Sequence, residues 1–344
     1  MAKDEIMELK SIEIARLLNI SPATVSLVKN NKPGVSNQTR QKVLDLIKES
    51  SSLNKEDDVS QKYILFVMHK THGQVLRNTP FFQNMLETIQ HIVVDAGYQL
   101  LVLSYSEQYD LDQHIEKVKN TPAVGILLLA AEMREEDFAP YKSIDKPIVV
   151  IDAHFPTLDV DCVGIDNEFI VRKCVDHLVE MGHSDIGYLS STMFTYNFFE
   201  RLSGYRKAMD AHSLPVREEN IIYIHSTAEK AYFDMLEHLR GISLNSLPTA
   251  FVAGNDFLAI GAIKAFKQFG YCIPNDISIV SIDNMPVIKV LDPPLTSIDI
   301  RSQDMDHLAM ESLLAKLNHR PVGNCRKDVR GKLIIRDSVK KLSQ

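Results

Sequence analysis

Residues 11–47 read SIEIARLLNISPATVSLVKNNKPGVSNQTRQKVLDLI and predict three short helices. Apolar residues recur on one face of the first helix, which is expected to end at Asn19. Ser21 suits an N-cap and Pro22 the first position of a second helix, where the missing proline N–H is not needed. Ser36 is expected to cap the third helix. This arrangement is typical of a helix-turn-helix domain, whose second helix enters the major groove of DNA.

Charge is distributed unevenly along the chain. The 344 residues include 38 Lys and Arg against 45 Asp and Glu, a net charge of −7. This balance excludes a protein that binds nucleic acid over its whole surface. Residues 1–50 differ, because basic residues outnumber acidic ones there. The charge of this segment therefore fits a DNA-binding domain confined to residues 1–50. The spacing of its predicted helices alone also fits a small helical domain without a ligand, which is the alternative.

The composition is that of an ordinary globular protein of about two domains, with 45% hydrophobic and 24% charged residues. No apolar run approaches the ~20 residues that a membrane span requires. The first residues lack a secretory signal, and the four cysteines are widely separated. We therefore expect a cytoplasmic protein that binds no membrane. Because no motif of a hydrolase, P-loop or zinc protease is present, we expect no enzyme, no cofactor and no metal site.

Short apolar runs alternate with amphipathic stretches from residue 62 onward. This alternation predicts parallel sheets covered by helices on both faces, an α/β architecture. We predict two doubly wound parallel-sheet subdomains with a cleft between them, preceded by the small all-α domain of residues 1–50 and a linker, 51–61. The runs lie at 63–68, 99–104, 124–130 and 147–152, then at 161–166, 185–190, 221–225, 249–254 and 278–283. The first subdomain is expected to comprise about 62–160 and 296–322, and the second about 161–295 and 323–344.

A regular pattern of small polar and apolar residues runs through the first segment. It reads A-x4-V-S-x2-T-V-S-x3-N-x4-V-S-x2-T-R-x2-V, with Ile20 in place of the first valine. The matching residues are Ala15, Ser21, Thr24, Val25, Ser26, Asn30, Val35, Ser36, Thr39, Arg40 and Val43. On these residues the chain resembles the LacI family of bacterial transcriptional regulators. Motifs such as Arg201-x-x-Gly204-Tyr205 extend the resemblance into the body, implying a fold similar to periplasmic sugar-binding proteins.

The resemblance implies a role on DNA for the second helix. Hydroxyl and amide side chains would contact phosphates, and the helix start would face the bases. The first group is Ser21, Thr24, Ser26 and Asn30, and the second is Pro22, Ala23 and Leu27. Because the base-facing set contains no Arg or Gln, we expect contacts with thymine methyl groups, with Lys29 and Lys32 on the DNA backbone.

The linker departs from the family pattern. Relatives carry a short hinge helix here, whose leucine inserts into the minor groove and kinks the DNA. Residues 51–61 read SSLNKEDDVSQ instead, with Leu53 as the one leucine beside three acidic residues that phosphates would repel. We therefore expect little bending of the DNA.

Candidate ligand-binding residues follow the predicted strands, because ligands of doubly wound sheets bind beyond the carboxyl ends of the strands. His69 is such a candidate, whereas Asp256 is expected to cap the helix that follows it. The resemblance implies that Phe81 and Phe82 stack on an effector, although Phe82 also lies on the apolar face of its helix. It further implies that Asp152 and Asn197 line the entrance, that Arg201 binds polar groups, and that Asn255 and Asp283 bind hydroxyl groups.

These features predict an effector-responsive, sequence-specific DNA-binding regulator. We interpret it as a repressor of sugar-utilisation genes that acts as a homodimer on a palindromic operator, since one helix-turn-helix makes few base contacts. A sugar or sugar phosphate is favoured as the effector, with a nucleobase as the alternative. The rival hypothesis is a stand-alone sugar-binding or sugar-modifying protein whose N-terminal helices are only structural.

Overall fold

The computed structural model describes residues 11–18, 20–29, 32–36, 38–46, 62–73, 80–242, 247–318 and 323–342. The chain divides into two compact units, Met1–Gln61 and Lys62–Gln344. Within the described ranges, no helix is long and apolar enough to cross a membrane.

The first unit contains helix α1 (Ser11–Leu17), helix α2 (Pro22–Lys29) and helix α3 (38–46). The three helices share a small core of buried aliphatic side chains. The predicted N-caps are confirmed, because Ser21 Oγ accepts a hydrogen bond from the Thr24 N–H and Ser36 Oγ from the Thr39 N–H, both at 3.1 Å. The core residues are Ile14, Ala15, Val25, Val28 and Val43.

The second unit contains two six-stranded sheets, which confirms the predicted α/β class. All strands of the first sheet run parallel in the order β11-β5-β4-β3-β1-β2. They are β1 (Tyr63–Lys70), β2 (Gln99–Ser106), β3 (Ala123–Leu129), β4 (Ile148–Ile151), β5 (Asp161–Ile165) and β11 (Arg326–Val329).

The second sheet has the order β12-β10-β9-β8-β6-β7, with only the β10–β12 pair antiparallel. Its strands are β6 (Ile186–Ser191), β7 (Ile221–Ile224), β8 (Ala250–Ala253), β9 (Ser278–Ile282), β10 (Thr296–Asp299) and β12 (Lys332–Ile334). The sheets and the helices packed on them define a first and a second subdomain.

Helices cover both sheets because each helix carries an apolar face that can pack on a sheet. In the first subdomain these are α4 (Pro80–Asp95), α5 (Leu111–Asn120) and α10 (Ser302–Leu317). In the second they are α6 (Asn167–Glu180), α7 (Tyr196–Ala211), α8 (Ala228–Gly241) and α9 (Asp256–Gln268).

The chain passes between the subdomains at other places than expected. Strand β5 pairs with β4, so it lies in the first subdomain and not in the second. Strand β10 pairs with β9 in the second sheet, and β11 with β5 in the first. The three crossings follow Ile165, Asp299 and Val329, a few residues later than the approximate boundaries expected at 160/161, 295/296 and 322/323. A short buried strand has the same apolar pattern in either sheet, so the sequence does not mark which sheet it joins.

Candidate functional site

A narrow cleft with about 70 Å³ of free space lies between the carboxyl ends of the two sheets. It brings together five of the predicted effector-binding residues, namely Asp152, Asn197, Arg201, Asn255 and Asp283. They come from both subdomains, so a molecule bound in the cleft would contact both at once.

Arg201 is the cationic group of the cleft and is only 5% exposed. It projects from α7, and its Nε donates a hydrogen bond to Asn167 Oδ1 at 2.9 Å. Its Nη1 donates to the Gly254 carbonyl oxygen at 2.8 Å and lies 3.6 Å from Asp283 Oδ1. The guanidinium is therefore held in one orientation before a ligand binds, which lowers the entropy cost of binding.

Asp152 connects the two subdomains. It follows β4 in the first subdomain, and its Oδ1 accepts a hydrogen bond of 2.9 Å from Asn197 Nδ2 in the second. Asn197 Oδ1 in turn accepts a hydrogen bond of 2.8 Å from Asn167 Nδ2. Burial raises the pKa of Asp152 to about 6, although the bond from Asn197 and the nearby Arg201 oppose the shift. The carboxyl group is thus poised between its charged and neutral forms near neutral pH.

The backbone is strained at both aspartates of the cleft. Asp152 has a φ of 61° and Asp283 a φ of 109°, in the left-handed region that residues with a side chain rarely adopt. Burial raises the pKa of Asp283, which the adjacent Arg201 opposes. Strained positive-φ residues concentrate at ligand sites, where the surrounding fold holds them in place. Both carboxylates line the cleft at the ends of their strands.

Asn255 also caps a helix, and Asp256 has a role that differs from the one expected. Asn255 Oδ1 accepts a hydrogen bond of 3.0 Å from the Leu258 N–H, so Asn255 and not Asp256 is the N-cap of α9. Asp256 is fully buried and accepts hydrogen bonds from the hydroxyl groups of Ser281 and Ser297 and from the Met285 N–H. It therefore organises the loop after β9 that carries Asp283.

Aromatic and aliphatic side chains complete the walls of the cleft. Phe198 and Phe257 lie in the first turns of α7 and α9 and line it together with Ile165, Met285 and Ile300. None of these five residues was predicted from the sequence. The sequence feature that could have marked the two phenylalanines is their position in the first turn of a helix that follows a strand along the chain.

Polar contacts between the subdomains also occur outside the cleft. Tyr196 Oη lies 3.2 Å from His154 Nδ1, and Arg326 Nη2 donates to Glu200 Oε1 at 3.3 Å. Burial and the nearby Arg326 lower the pKa of His154, so its imidazole is neutral at neutral pH. These contacts link the strand ends of the first subdomain to α7.

His69 and Phe82 do not line the cleft. His69 is buried, its Nδ1 lies 3.1 Å from Tyr141 Oη, and its ring packs on Tyr105 with 4.7 Å between centroids. Phe82 packs against the core beneath α4, with its ring 6.4 Å from that of Phe66. His69 turns from its strand end into the subdomain core, and Phe82 takes the core position that its place on the apolar face of α4 also allowed. The Phe81 side chain lies outside the described residues.

Residues expected to contact DNA lie on the accessible side of α2. Ser21, Pro22, Ala23, Ser26 and Lys29 are exposed, as is Lys32 beyond the helix, while Thr24 and Leu27 are half-buried. Ser21 Oγ and Thr24 Oγ1 lie 2.8 Å apart, which places two hydroxyl groups side by side at the helix start. Asn30, Leu53 and the linker 51–61 lie outside the described residues.

A three-helix head and a two-sheet body with a polar cleft define a class of regulator that combines a DNA-binding domain with a periplasmic-binding-protein-like domain. Residues 12–51 match the family described as "Bacterial regulatory proteins, lacI family", and residues 175–339 match "Periplasmic binding protein-like domain". The HTH-type transcriptional repressor PurR of Mannheimia succiniciproducens is 29% identical over 339 residues, which cover 96% of this chain and 98% of that protein.

Two solved structures have the same fold. The transcriptional regulator CelR–cellobiose complex superposes with a TM-score of 0.72 at 22% identity, covering 94% of this chain and 98% of that chain. The lac repressor dimer bound to operator and the anti-inducer ONPF gives a TM-score of 0.72 at 20% identity, covering 95% and 98%. The chain therefore carries a LacI-family helix-turn-helix domain followed by a periplasmic-binding-protein-like domain, and its relatives are LacI- and PurR-type transcriptional regulators. Because its relatives are transcriptional regulators, the prediction that it is no enzyme is confirmed.

Proposed function

We propose that this chain is an effector-responsive repressor that acts in the cytoplasm, as a homodimer on a palindromic operator, and that its effector is a neutral sugar. The observation that carries the proposal is the cleft in which Arg201, Asp152 and Asp283 face one another across two subdomains. A ligand held by both subdomains favours one relative arrangement of them and shifts the population toward it.

The chemistry of the cleft supports a neutral sugar over a sugar phosphate. Arg201 is the one cation among the lining residues that the structure describes, and it already faces Asp283. A phosphate would therefore add negative charge beside two carboxylates. Sugar hydroxyl groups can donate to these carboxylates, and apolar sugar faces can pack on Phe198 and Phe257. A nucleobase, the alternative effector, offers fewer such donors.

The proposed roles on DNA rest on the exposed side of α2. The hydroxyl groups of Ser21 and Thr24 suit phosphate oxygens, and Lys29 and Lys32 add positive charge nearby. Pro22, Ala23 and Leu27 present apolar groups that suit thymine methyls. Sequence preference would then depend on apolar contacts and on DNA shape.

The proposed homodimer is supported by exposed apolar side chains at corresponding edges of the two sheets. In the first subdomain these are Val94 on α4 and Val102 on the edge strand β2. In the second they are Tyr223 on the edge strand β7 and Phe233 on α8. A second copy packed along both edges would cover all four and protect two open strand edges.

Two measurements on the full chain test the proposal. A thermal-shift screen should find a neutral mono- or disaccharide that raises the melting temperature only when Arg201 is present, whereas purine bases do not raise it and any rise with a sugar phosphate persists in Arg201→Gln. If the Arg201→Gln variant no longer shows this rise in melting temperature, the sugar binds in the cleft. A gel shift with genomic fragments should give a specific complex at ~100 mM salt. No complex would favour the rival hypothesis of a stand-alone sugar-binding protein.

A further inference from the structure

A second cavity lies in the first subdomain, beside α5 and the carboxyl ends of β1 and β2. It is open to solvent, has a volume of about 720 Å³, and shares no lining residue with the cleft between the subdomains. The lining residues that matter here are Lys70, Tyr105, Tyr109, Asp110, His114 and Lys117. The cavity is therefore a separate place where a molecule could bind.

His114 supplies the most informative atom of this cavity. Its side chain is only 6% exposed, yet its Nε2 has no hydrogen-bond partner among the described residues. The ring is fixed by Tyr105 and Tyr141, with centroids 5.2 Å and 6.4 Å away. Burial lowers the pKa of His114, so the ring is neutral at neutral pH. This nitrogen has less than 1 Å² of accessible surface, and a buried polar atom without a partner is costly, so a ligand that reaches it would gain free energy.

The charged residues around the cavity favour an anion. Lys70 lies at the end of β1 and Lys117 on α5, and Asp110 is the one acidic residue among the lining residues described. The Asp110 carboxylate is already engaged, since it accepts a hydrogen bond of 3.1 Å from the Gln113 N–H as the N-cap of α5. The ammonium groups of Lys117 and of Lys70, which lies 5.8 Å from the centre of the Phe82 ring, are therefore the cations that an anionic ligand would meet, and lysine binds phosphate well as a point charge.

We propose that this cavity is a second ligand site, which binds a phosphorylated small molecule independently of the sugar cleft. Lys70 and Lys117 would neutralise the phosphate, His114 Nε2 would hydrogen-bond to it or to the attached group, and Tyr105 and Tyr109 would contact the remainder. The two sites have opposite electrostatic character, because carboxylates dominate the cleft and ammonium groups this cavity. One regulator could therefore respond to two chemically different molecules.

Calorimetric titration of the full chain with inorganic pyrophosphate, at ~0.1 M salt, tests this site. The double variant Lys70→Gln/Lys117→Gln should bind pyrophosphate about tenfold or more weakly, the loss expected from removing charge-assisted hydrogen bonds. His114→Phe preserves a ring between the two tyrosines and should also weaken binding. A melting curve of each variant confirms that it is folded.

Two controls make the result decisive. Lys142→Gln/Lys289→Gln removes two exposed lysines elsewhere in the second unit and should leave pyrophosphate affinity unchanged. Arg201→Gln should abolish sugar binding but leave pyrophosphate binding intact. The proposal is overturned if the parent chain does not bind pyrophosphate, or if the two double variants lose pyrophosphate affinity equally. It is also overturned if only Arg201→Gln loses pyrophosphate binding. The last outcome would assign the anion to the cleft.

Discussion

Arg201 Nη1 lies 3.6 Å from Asp283 Oδ1, although Arg201 projects from α7 and Asp283 follows β9. The contact is direct, and burial of Asp283 would disfavour its charged form without this cation. The pair thus places a carboxyl group, whose pKa is raised by burial even beside this cation, next to a charged donor in the cleft.

Replacing either partner should weaken effector binding strongly. We expect Arg201→Ala and Asp283→Ala each to cost about 2 kcal/mol or more, because each leaves polar groups of the bound ligand unpaired. Titration with the sugar that stabilises the parent chain measures the effect. Arg206→Ala is the matched control, since Arg206 lies on the same helix but pairs with Glu218 on the surface. Unchanged affinity in both cleft variants would move the effector site elsewhere.

Leu27 should contribute to DNA sequence preference. It is half-buried on α2, and we expect it to contact a thymine methyl group. Leu27→Ala should then cost about 1 kcal/mol of DNA affinity, the effect of removing buried methylene groups. Selection from random DNA should show a relaxed preference at one base pair. The control is Leu17→Ala on α1, and an unaltered selected motif would make Leu27 a core residue only.

The sheets could be predicted from sequence wherever strands are buried and apolar. All nine predicted runs contain a strand, β1 to β9. The strands that were missed are β10, β11 and β12, which have three or four residues each and polar sequences such as Arg326–Val329. Their places depend on pairing with β9, β5 and β10, and not on a local apolar pattern. This is also why the subdomain boundaries lie a few residues later than expected.

The candidate site could be predicted in part. Asp152 and Asp283 follow buried strands, a position that the fold alone marks as a ligand site. His69 fits the same rule but turns into a cluster with Tyr105 and Tyr141, because its strand end is covered by neighbouring aromatic rings. Side-chain direction at a strand end depends on tertiary neighbours, so sequence position alone does not decide it.

Gly261 should be needed for the packing of α8 against α9. A Cβ atom at Gly261 would lie 2.6 Å from Ala231 Cβ and 2.7 Å from the Ala228 carbonyl oxygen, so the backbone would have to shift. We expect Gly261→Ala to lower the free energy of unfolding by about 1–3 kcal/mol, as overpacking does. Gly241→Ala, at the end of α8 with open space around it, should be neutral or slightly stabilising. Urea denaturation of both variants compares them, and equal stabilities would contradict the packing argument.

The exposed edge of the second sheet should be part of the dimer interface. Phe233 on α8 is 57% exposed, and a second copy would cover it. Phe233→Glu should shift the chain toward monomer, because a charge would have to be buried in the interface. Sedimentation measures the shift, and Phe199→Glu, an equally exposed phenylalanine on α7, is the control. If Phe233→Glu and Phe199→Glu shift the monomer–dimer equilibrium equally, the proposed interface is contradicted.

Asp306 should destabilise the protein as pH rises. It is fully buried on α10, and neither carboxylate oxygen has a hydrogen-bond partner among the described residues. Burial, with a smaller effect of Asp152, raises the pKa of Asp306 from 3.8 to about 8. Between these values the folded chain binds more protons than the unfolded chain, so stability falls as pH rises through this range.

Asp306→Asn should remove this pH dependence, because the amide carries no charge at any pH in the range. At pH 8 we expect the variant to exceed the parent in free energy of unfolding by about 1–3 kcal/mol, the cost of an unpaired buried polar group. The difference should shrink toward pH 4, where the parent carboxyl is protonated in the folded state. Denaturant titrations at several pH values measure both effects. Asp304→Asn, an exposed residue on the same helix that pairs with Arg301, should show no comparable gain at pH 8. A parent and an Asp306→Asn variant with parallel stability curves would mean that a partner satisfies this carboxylate in solution.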